Sequence, residues 1–595
     1  MNKRFFWLFL SCILALSMIL ASCGTKTTLT TTSTTKATTP LTTTSAISPT
    51  TKTTTTTGKW WDIYGKPQYG GTITGRLQVD PVRWDTYQNP SAAGVDGMYL
   101  EMLCGNDWTL DPKIWEFNMA YVPPEYREGC LAESWDVPDL QTVIFHLRKG
   151  VNWQNLPPAN GREFTADDVV YTYNRQFGLG GGFTQPSPYF QVAQWNLIKS
   201  VTATDKYTVV FKWKEPTNQM LLTLIENRAT VHIVNREAVE KWGNLDDWRH
   251  AVGTGPWILT DYTTGSSANF IRNPNYWRYD GRHPTNKLPY ADTLRFLVIP
   301  DQATALAALR TGKIVAITEG IDWETAGSLS KTNPELLKTT TPKEGISLDL
   351  RVDKSPFTDI RVRKALQMAV DLQTIATTYY GDIVEGTPCG LANPAMKGYY
   401  TPYEQWSQQL KDEYAYNPEG AKKLLAEAGY PSGFKTNCVT DTTADQNVMQ
   451  ILKSYLLNIG VDMEIKLMDP TSFAAFVNAG KQDQMCSRQR GSVALPFPPD
   501  RIITRRWSKH YTNWTHCNDP VYDKIYDDFL ATADFDEQRR LVGQAVDYAL
   551  TQHWSVNVLP TVSFMVYQPW FKGYGYGGDI TTVNWDRCWI DNSMK

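Results

Sequence analysis

The stretch from Gly253 to Gly312 constrains this chain more than any other. It reads GTGPWILTDYTTGSSANFIRNPNYWRYDGRHPTNKLPYADTLRFLVIPDQATALAALRTG. A Gly/Pro turn opens it, two strand-like segments follow, and an aromatic-rich turn leads into a long apolar strand from Thr293 to Ile299. A helix comes directly after, with Asp301 as its N-cap, Leu306 and Leu309 on its apolar face and Gly312 as its stop. Strand followed at once by helix, then by Gly and a further strand near 318, predicts α/β units. The stretch offers no nucleophile, metal cluster or phosphate loop, so it reads as a frame on which function is hung.

The N-terminal end of the chain is of a different kind. Lys3 and Arg4, an apolar run from Phe5 to Leu20, and Leu20-Ala21-Ser22-Cys23 have the layout of a secretory signal. The run is short for a membrane span. The Cys after small residues resembles a bacterial lipobox, which makes Cys23 the expected lipidation site after removal of residues 1–22. Thr occupies 20 of the 33 positions from 25 to 57. Such a tract buries too little apolar surface to offset its ordering entropy. It is expected to act as a linker reaching roughly 30 Å.

Beyond residue 57 the chain holds 53 basic and 61 acidic residues, a net charge of −8, which argues against nucleic acid as a partner. Seven cysteines remain after Cys12 and Cys23: Cys104, Cys130, Cys389, Cys438, Cys486, Cys517 and Cys588. None forms a CxxC, so zinc and redox spacings are absent. Disulfides and free buried thiols both remain open, and the odd number leaves at least one unpaired. His510, His516 and Cys517 lie close together but lack a standard ligand spacing, so no metal or cofactor is expected.

Several elements are well signalled. Residues 131–151 alternate as a hairpin, and 207–213 form a strand. Thr165 and Asp168 have the form of a capping box for a helix through Val169, Val170, Tyr173 and Phe177. Helical spacing also marks 362–370, the segment after Asn417-Pro418, and 448–459; the last leads through Gly460 to a strand at 461–467.

The order of these segments carries a resemblance. LAESWDV…FHLRKGVNW, FTADDVVYTYNR, GTGPW, RNPNYW, IPDQATALAALRTGK, SPFTDIRVRKALQMAVD, YNPEGAKKLLAEAGYPSGF, LKSYLLNIGVDMEI and NDPVYDKIYDDFLATADFDEQRRL occur in sequence. Together they resemble the extracellular solute-binding proteins of peptide/nickel-type ABC importers, solute-binding family 5. The resemblance implies a large periplasmic-binding-protein fold of class α/β, with two lobes and an extra inserted domain. Lobe I would comprise 58–115, 225–301 and 561–595, the inserted domain 116–224, and lobe II 302–560, with crossings near Pro300–Asp301 and Leu559–Pro560. It also implies a monomeric, non-enzymatic protein that traps a solute, most simply an oligopeptide, and hands it to a membrane permease.

The segment Gln484–Trp514, QMCSRQRGSVALPFPPDRIITRRWSKHYTNW, is where the chain departs from that pattern. Peptide-binding relatives carry Gly-Trp and then an acid for the peptide ammonium; here Arg490-Gly491 is followed by Ser-Val-Ala-Leu. The segment is instead basic, and a planar guanidinium suits carboxylate or phosphate. Arg488 and Arg490 are therefore candidate ligand contacts. Trp507, Tyr511 and Trp514, with Trp84 and Tyr87 after the first strand, are candidate stacking surfaces. An oligosaccharide or another anionic solute is the alternative ligand. An exported glycan hydrolase would need a convergent acid pair that no motif supplies, and a surface adhesin that kept the fold is a third reading.

Overall fold

The computed structural model describes residues 59–595 apart from 82, 89–93, 118–120, 189–196, 219, 221–223, 225–231, 344, 488–499 and 575–583. Cys23, the Thr-rich tract, Arg488 and Arg490 fall outside the described residues. Among the described residues, no helix is long and apolar enough to cross a membrane.

The opening frame builds a four-stranded sheet. Its order is Thr72–Leu77, Thr293–Val298, Ser267–Arg272, Trp257–Thr263. Thr293–Val298 runs parallel to the first and antiparallel to the third, and its alternate residues Leu294 and Phe296 are buried. Asp301 caps the helix Gln302–Arg310 by accepting from the Thr304 amide at 2.7 Å. The expected α/β unit across 301–318 does not form. Both edges of Thr293–Val298 are already occupied, so the next strand, Ala316–Ile321, has no place beside it. That strand joins a separate antiparallel sheet, between Thr561–Tyr567 and the helix-covered core around Leu309 and Ile314, with Leu337–Lys343 on the far side of Thr561–Tyr567. The Val315 amide still donates to Thr74 at 2.8 Å, tying this sheet to the first.

The hairpin of Ala132–Asp139 and Thr142–Leu147 continues into Thr208–Trp213 and Ile198–Asp205, an antiparallel sheet of four strands. Against it lies the helix Ala166–Phe177. Its capping box is present: Asp168 accepts from the Thr165 amide at 3.0 Å.

The second large core surrounds a five-stranded sheet, ordered Val461–Met468, Phe434–Asp441, Met485–Ser487, Ser347–Leu350, Ser555–Asn557. The first three strands are parallel. They are linked through the helices Gln446–Asn458 and Pro470–Asn478, so the α/β unit expected around Gly460 is present. The last two strands pair antiparallel. The chain enters this body between Lys343 and Ser347 and leaves it between Asn557 and Thr561. The two passages lie side by side: Val558 donates to Ile346 at 3.0 Å, and a Cβ on Gly345 would stand 2.1 Å from the Leu559 carbonyl oxygen. All seven cysteines of the body are free, and all but the half-buried Cys389 are buried.

Candidate ligand-binding site

The central strand Ser347–Leu350 has two faces of different chemistry because side chains alternate across a sheet. Leu348 and Leu350 enter the second core. Ser347 and Asp349 point the other way. Opposite Asp349 in register stand Cys486 on one side and Ser555 on the other. The segment after the short helix Asp500–Thr504 covers this face. Arg506 reaches in from it, donating from Nη2 to Asp349 Oδ1 at 2.6 Å and to Ser555 Oγ at 2.6 Å. Ser555 in turn donates to Asp349 Oδ1 at 2.7 Å. Burial works against the Arg506 charge, but Asp349, with Cys517 and Tyr522 adding to it, holds the guanidinium pKa above its ordinary value.

Beside this triangle opens a small cleft of about 90 Å³. Its walls are the two chain passages (Gly345–Ser347 and Asn557–Pro560), the loop Cys389–Asn393, and Ile502, Arg505, Arg506 and Trp514. Arg505 is half-buried at the rim. Burial raises the Cys389 thiol pKa to about 12, so it is a thiol and not a thiolate at neutral pH. The arrangement supplies a positive group and polar neighbours in a concave, partly apolar site next to the joint between two bodies, a usual position for small-molecule binding. Among the described residues, no three His, Cys, Asp or Glu side chains are grouped to hold a metal ion.

The structure distributes the sequence-derived candidates. Trp514 lines the cleft, although most of its surface is spent on packing: its ring meets Phe473 edge-on, and its Nε1 donates to Asn478 at 2.9 Å. Trp507 packs against Tyr526 on the other side of the segment. Tyr511 is 69% exposed, beside His510. Trp84 meets Tyr262 edge-on and borders a separate open depression with Asp80, Asp246 and Trp248. Tyr87 donates to Gln185 at 3.1 Å with the Arg175 guanidinium over its ring. Arg488 and Arg490 lie outside the described residues. Sequence reasoning missed Asp349, Arg505, Arg506 and Asn557 as site residues. Arg505 and Arg506 carried a signal, since they belong to the same basic run; Asp349 carried none, because one acid in an apolar strand becomes informative only once its partner is known.

Support beneath the site predicts a pH response. His553, in a left-handed conformation at the end of the helix Phe535–Gln552, sits two residues before Ser555. It donates from Nε2 to Glu413 at 3.0 Å, and Lys364 donates to the same carboxyl group at 2.6 Å. The His553 hydrogen bond is the largest cause holding Glu413 at about 2, with Lys364 adding to it. Burial lowers the His553 pKa. In both cases the unfolded chain binds more protons than the folded one as pH falls, so stability is lost on acidification. The His553 part should go as pH drops below about 6.5, and the Glu413 part between the ordinary carboxyl value and about 2. Melting temperature measured from pH 7.5 to 5 should decline in wild type and flatten in His553→Asn, a residue that tolerates the left-handed backbone. An unchanged slope in the variant would count against a buried neutral His553.

Comparison with known proteins agrees with this architecture. Residues 128–509 match the family "Bacterial extracellular solute-binding proteins, family 5 Middle". The chain belongs to that family, and its fold is the α/β, two-lobe periplasmic-binding-protein type with an inserted domain. Heme-binding protein A of Haemophilus influenzae is 26% identical over 474 residues, 75% of this chain and 81% of that protein. The periplasmic oligopeptide-binding protein OppA of Salmonella typhimurium is 25% identical over 468 residues, again 75% and 81%. In structure, HbpA2 of Haemophilus parasuis superposes with a TM-score of 0.71 at 20% identity, covering 87% of this chain and 100% of its own.

Proposed function

We propose that this protein is the lipid-anchored capture subunit of an ABC importer, binding an oligopeptide between its lobes and presenting it to a membrane permease. The observation that carries the ligand assignment is the cleft at the two chain passages, with Arg505 at its rim and the Asp349–Arg506–Ser555 triangle in its wall. A peptide carboxylate fits that rim through charge-assisted hydrogen bonds. The side-by-side passages at 343–347 and 557–561 are the hinge about which the lobes close. This puts the helix Gln302–Arg310 and the three-stranded sheet with lobe I, and moves the first crossing downstream of Pro300–Asp301. Cys23 anchors the protein outside the cytoplasm, and the Thr-rich linker lets it reach the permease. It acts as a monomer that binds without turnover.

Mass spectrometry of small molecules released on denaturing the purified protein tests the ligand class. Peptides are the expected finding, and a repeated recovery of oligosaccharide alone would overturn it. Titration with a recovered peptide should change intrinsic Trp fluorescence, and at a hundredfold its Kd should stabilise the protein by about 2.7 kcal/mol. Arg505→Gln should weaken binding by roughly tenfold or more, the worth of one hydrogen bond to a charged group. Equal affinity in that variant would remove Arg505 from the site. A second reading, a non-peptide anionic solute, draws on the basic run Arg501, Arg505 and Arg506 together with Arg488 and Arg490. Similarity to a protein named for haem as well as to one named for oligopeptide keeps it in the same titrations.

A further inference from the structure

We propose that a recess beside the GTGPW turn binds a small α-amino acid as a zwitterion, at a site separate from the Asp349 cleft. Stretches far apart in sequence form it. Trp257 opens the strand after the turn and is held by Gln154, whose Nε2 donates to its carbonyl at 2.8 Å. Gly105 and Asn106 lie on a short antiparallel ladder, Gly105 opposite Glu128 and Asn106 opposite Arg127. Tyr276 and Arg278 come from the aromatic-rich turn. Asn584 and Arg587 complete the wall, folded into a turn in which the Arg587 amide donates to the Asn584 carbonyl at 2.8 Å. The recess holds about 140 Å³. That is room for about six non-hydrogen atoms, since a cavity of about 150 Å³ takes a benzene molecule. It shares no wall residue with the Asp349 cleft.

Two buried donors in this wall are idle. Trp257 is 1% exposed and Asn584 5%, and neither the Trp257 Nε1 nor the Asn584 Nδ2 has a hydrogen-bond partner. The Asn106 Oδ1, also buried, is an acceptor in the same state. Native interiors rarely strand polar atoms in this way. Three of them around one recess call for an occupant that both accepts and donates. The charged groups of the wall are committed to neighbours and act as fixed charges. Glu101 accepts from the Tyr276 hydroxyl at 2.8 Å and from the Trp277 indole at 3.1 Å. Arg278 pairs with Glu128, and Arg587 donates to Asp586 at 2.9 Å. Burial raises the Cys130 pKa, so that thiol stays protonated and adds no charge.

Both signs therefore line the recess, Arg278 and Arg587 against Glu101 and Asp586. Such a wall disfavours a lone ion, which meets as much repulsion as attraction, and favours a molecule that carries both charges. An α-amino acid of two or three carbons meets each demand. Its carboxylate accepts from Trp257 and Asn584, its ammonium donates to Asn106, and alanine has the size the recess admits. The half-buried residues Gly105, Arg278 and Asp586 mark the outer side, where the solute enters.

Isothermal titration of the full chain with L-alanine tests the site. Binding of L-alanine and of glycine is expected, with acetate and ethylammonium, which each carry one of the two charges, weaker by roughly tenfold or more. Trp257→Phe keeps an aromatic ring and removes the N–H, and should weaken alanine by roughly tenfold. Gly105→Val should fill the recess and abolish binding. A Cβ at position 105 meets only ordinary contacts, Arg278 Nη1 at 3.8 Å and Cys130 Cβ at 3.9 Å, so the strand accommodates it. Circular dichroism checks that both variants fold; if Gly105→Val does not, Trp257→Phe decides. No binding of alanine or glycine by wild type, the result expected if water alone fills the recess, overturns the proposal. So does alanine binding that Arg505→Gln removes and Trp257→Phe leaves intact, which would put the amino acid in the Asp349 cleft. The site does not rest on the importer reading: failure to recover a peptide would leave it standing, and its own failure would leave peptide capture standing.

Discussion

Asp349→Leu is expected to destabilise lobe II by about 3–5 kcal/mol, because removing one partner leaves the other charge buried and uncompensated. Arg506 is 4% exposed and keeps only Ser555 as a side-chain partner for Nη2 once the carboxylate is gone. The double variant Asp349→Leu with Arg506→Met should recover much of that loss, since the cost lies in the stranded ion and not in the absence of the pair. Chemical denaturation followed by a lobe II probe would measure both. A single variant as stable as wild type would show that the pair is solvated in solution. The double variant also separates stability from function: it restores the fold yet removes the charge beside the cleft, so ligand affinity should stay reduced.

Gly253→Ala is the second large effect, expected at about 3 kcal/mol, the upper part of the range for inserting a methyl group into packed structure. A Cβ there would stand 1.7 Å from the Tyr99 carbonyl oxygen and 2.5 Å from its carbon. Both are backbone atoms and cannot rotate away. The turn is also held from the other side, where Gln154 donates its amide to the Gly253 carbonyl at 2.8 Å. Gly255 adds a hydrogen bond to the same Tyr99 oxygen at 2.9 Å. Gly327, inside the helix Trp323–Thr332, has nothing within 4 Å of a Cβ. Gly327→Ala should therefore stabilise by up to about 1 kcal/mol through helix propensity. Equal losses at 253 and 327 would mean that the close approach to Tyr99 is not what fixes the GTGPW turn.

Local elements were legible because their causes are local. Asp301, Asn417 and the Thr165–Asp168 box sit where a helix needs its first amides capped, and each caps as expected. Period-two alternation at 461–467 and 143–147 became strands for the same reason. The α/β unit at 301–318 was misread because strand pairing depends on which sheet edges are free. Thr72–Leu77 and Ser267–Arg272 had taken both edges of Thr293–Val298, and neither lies adjacent to it in sequence.

The site was less legible than the fold. Aromatic residues bury well in cores and stack well in clefts, so Trp84, Trp507 and Trp514 looked alike in the sequence. Only their neighbours separate them: Tyr262 for the first, Tyr526 for the second, and an open wall beside the third.

The family, the class of fold, the helix ends and the basic character of the segment from Arg488 to Arg506 can be read from the chain alone, because each follows from neighbouring residues or from the order of motifs. That Asp349 meets Arg506 across 157 positions, and that Gly345 lies against Leu559 at the joint, emerges only from the packed molecule. These depend on surfaces that exist only after each lobe has formed, and no pattern within either segment specifies which surface the other will meet.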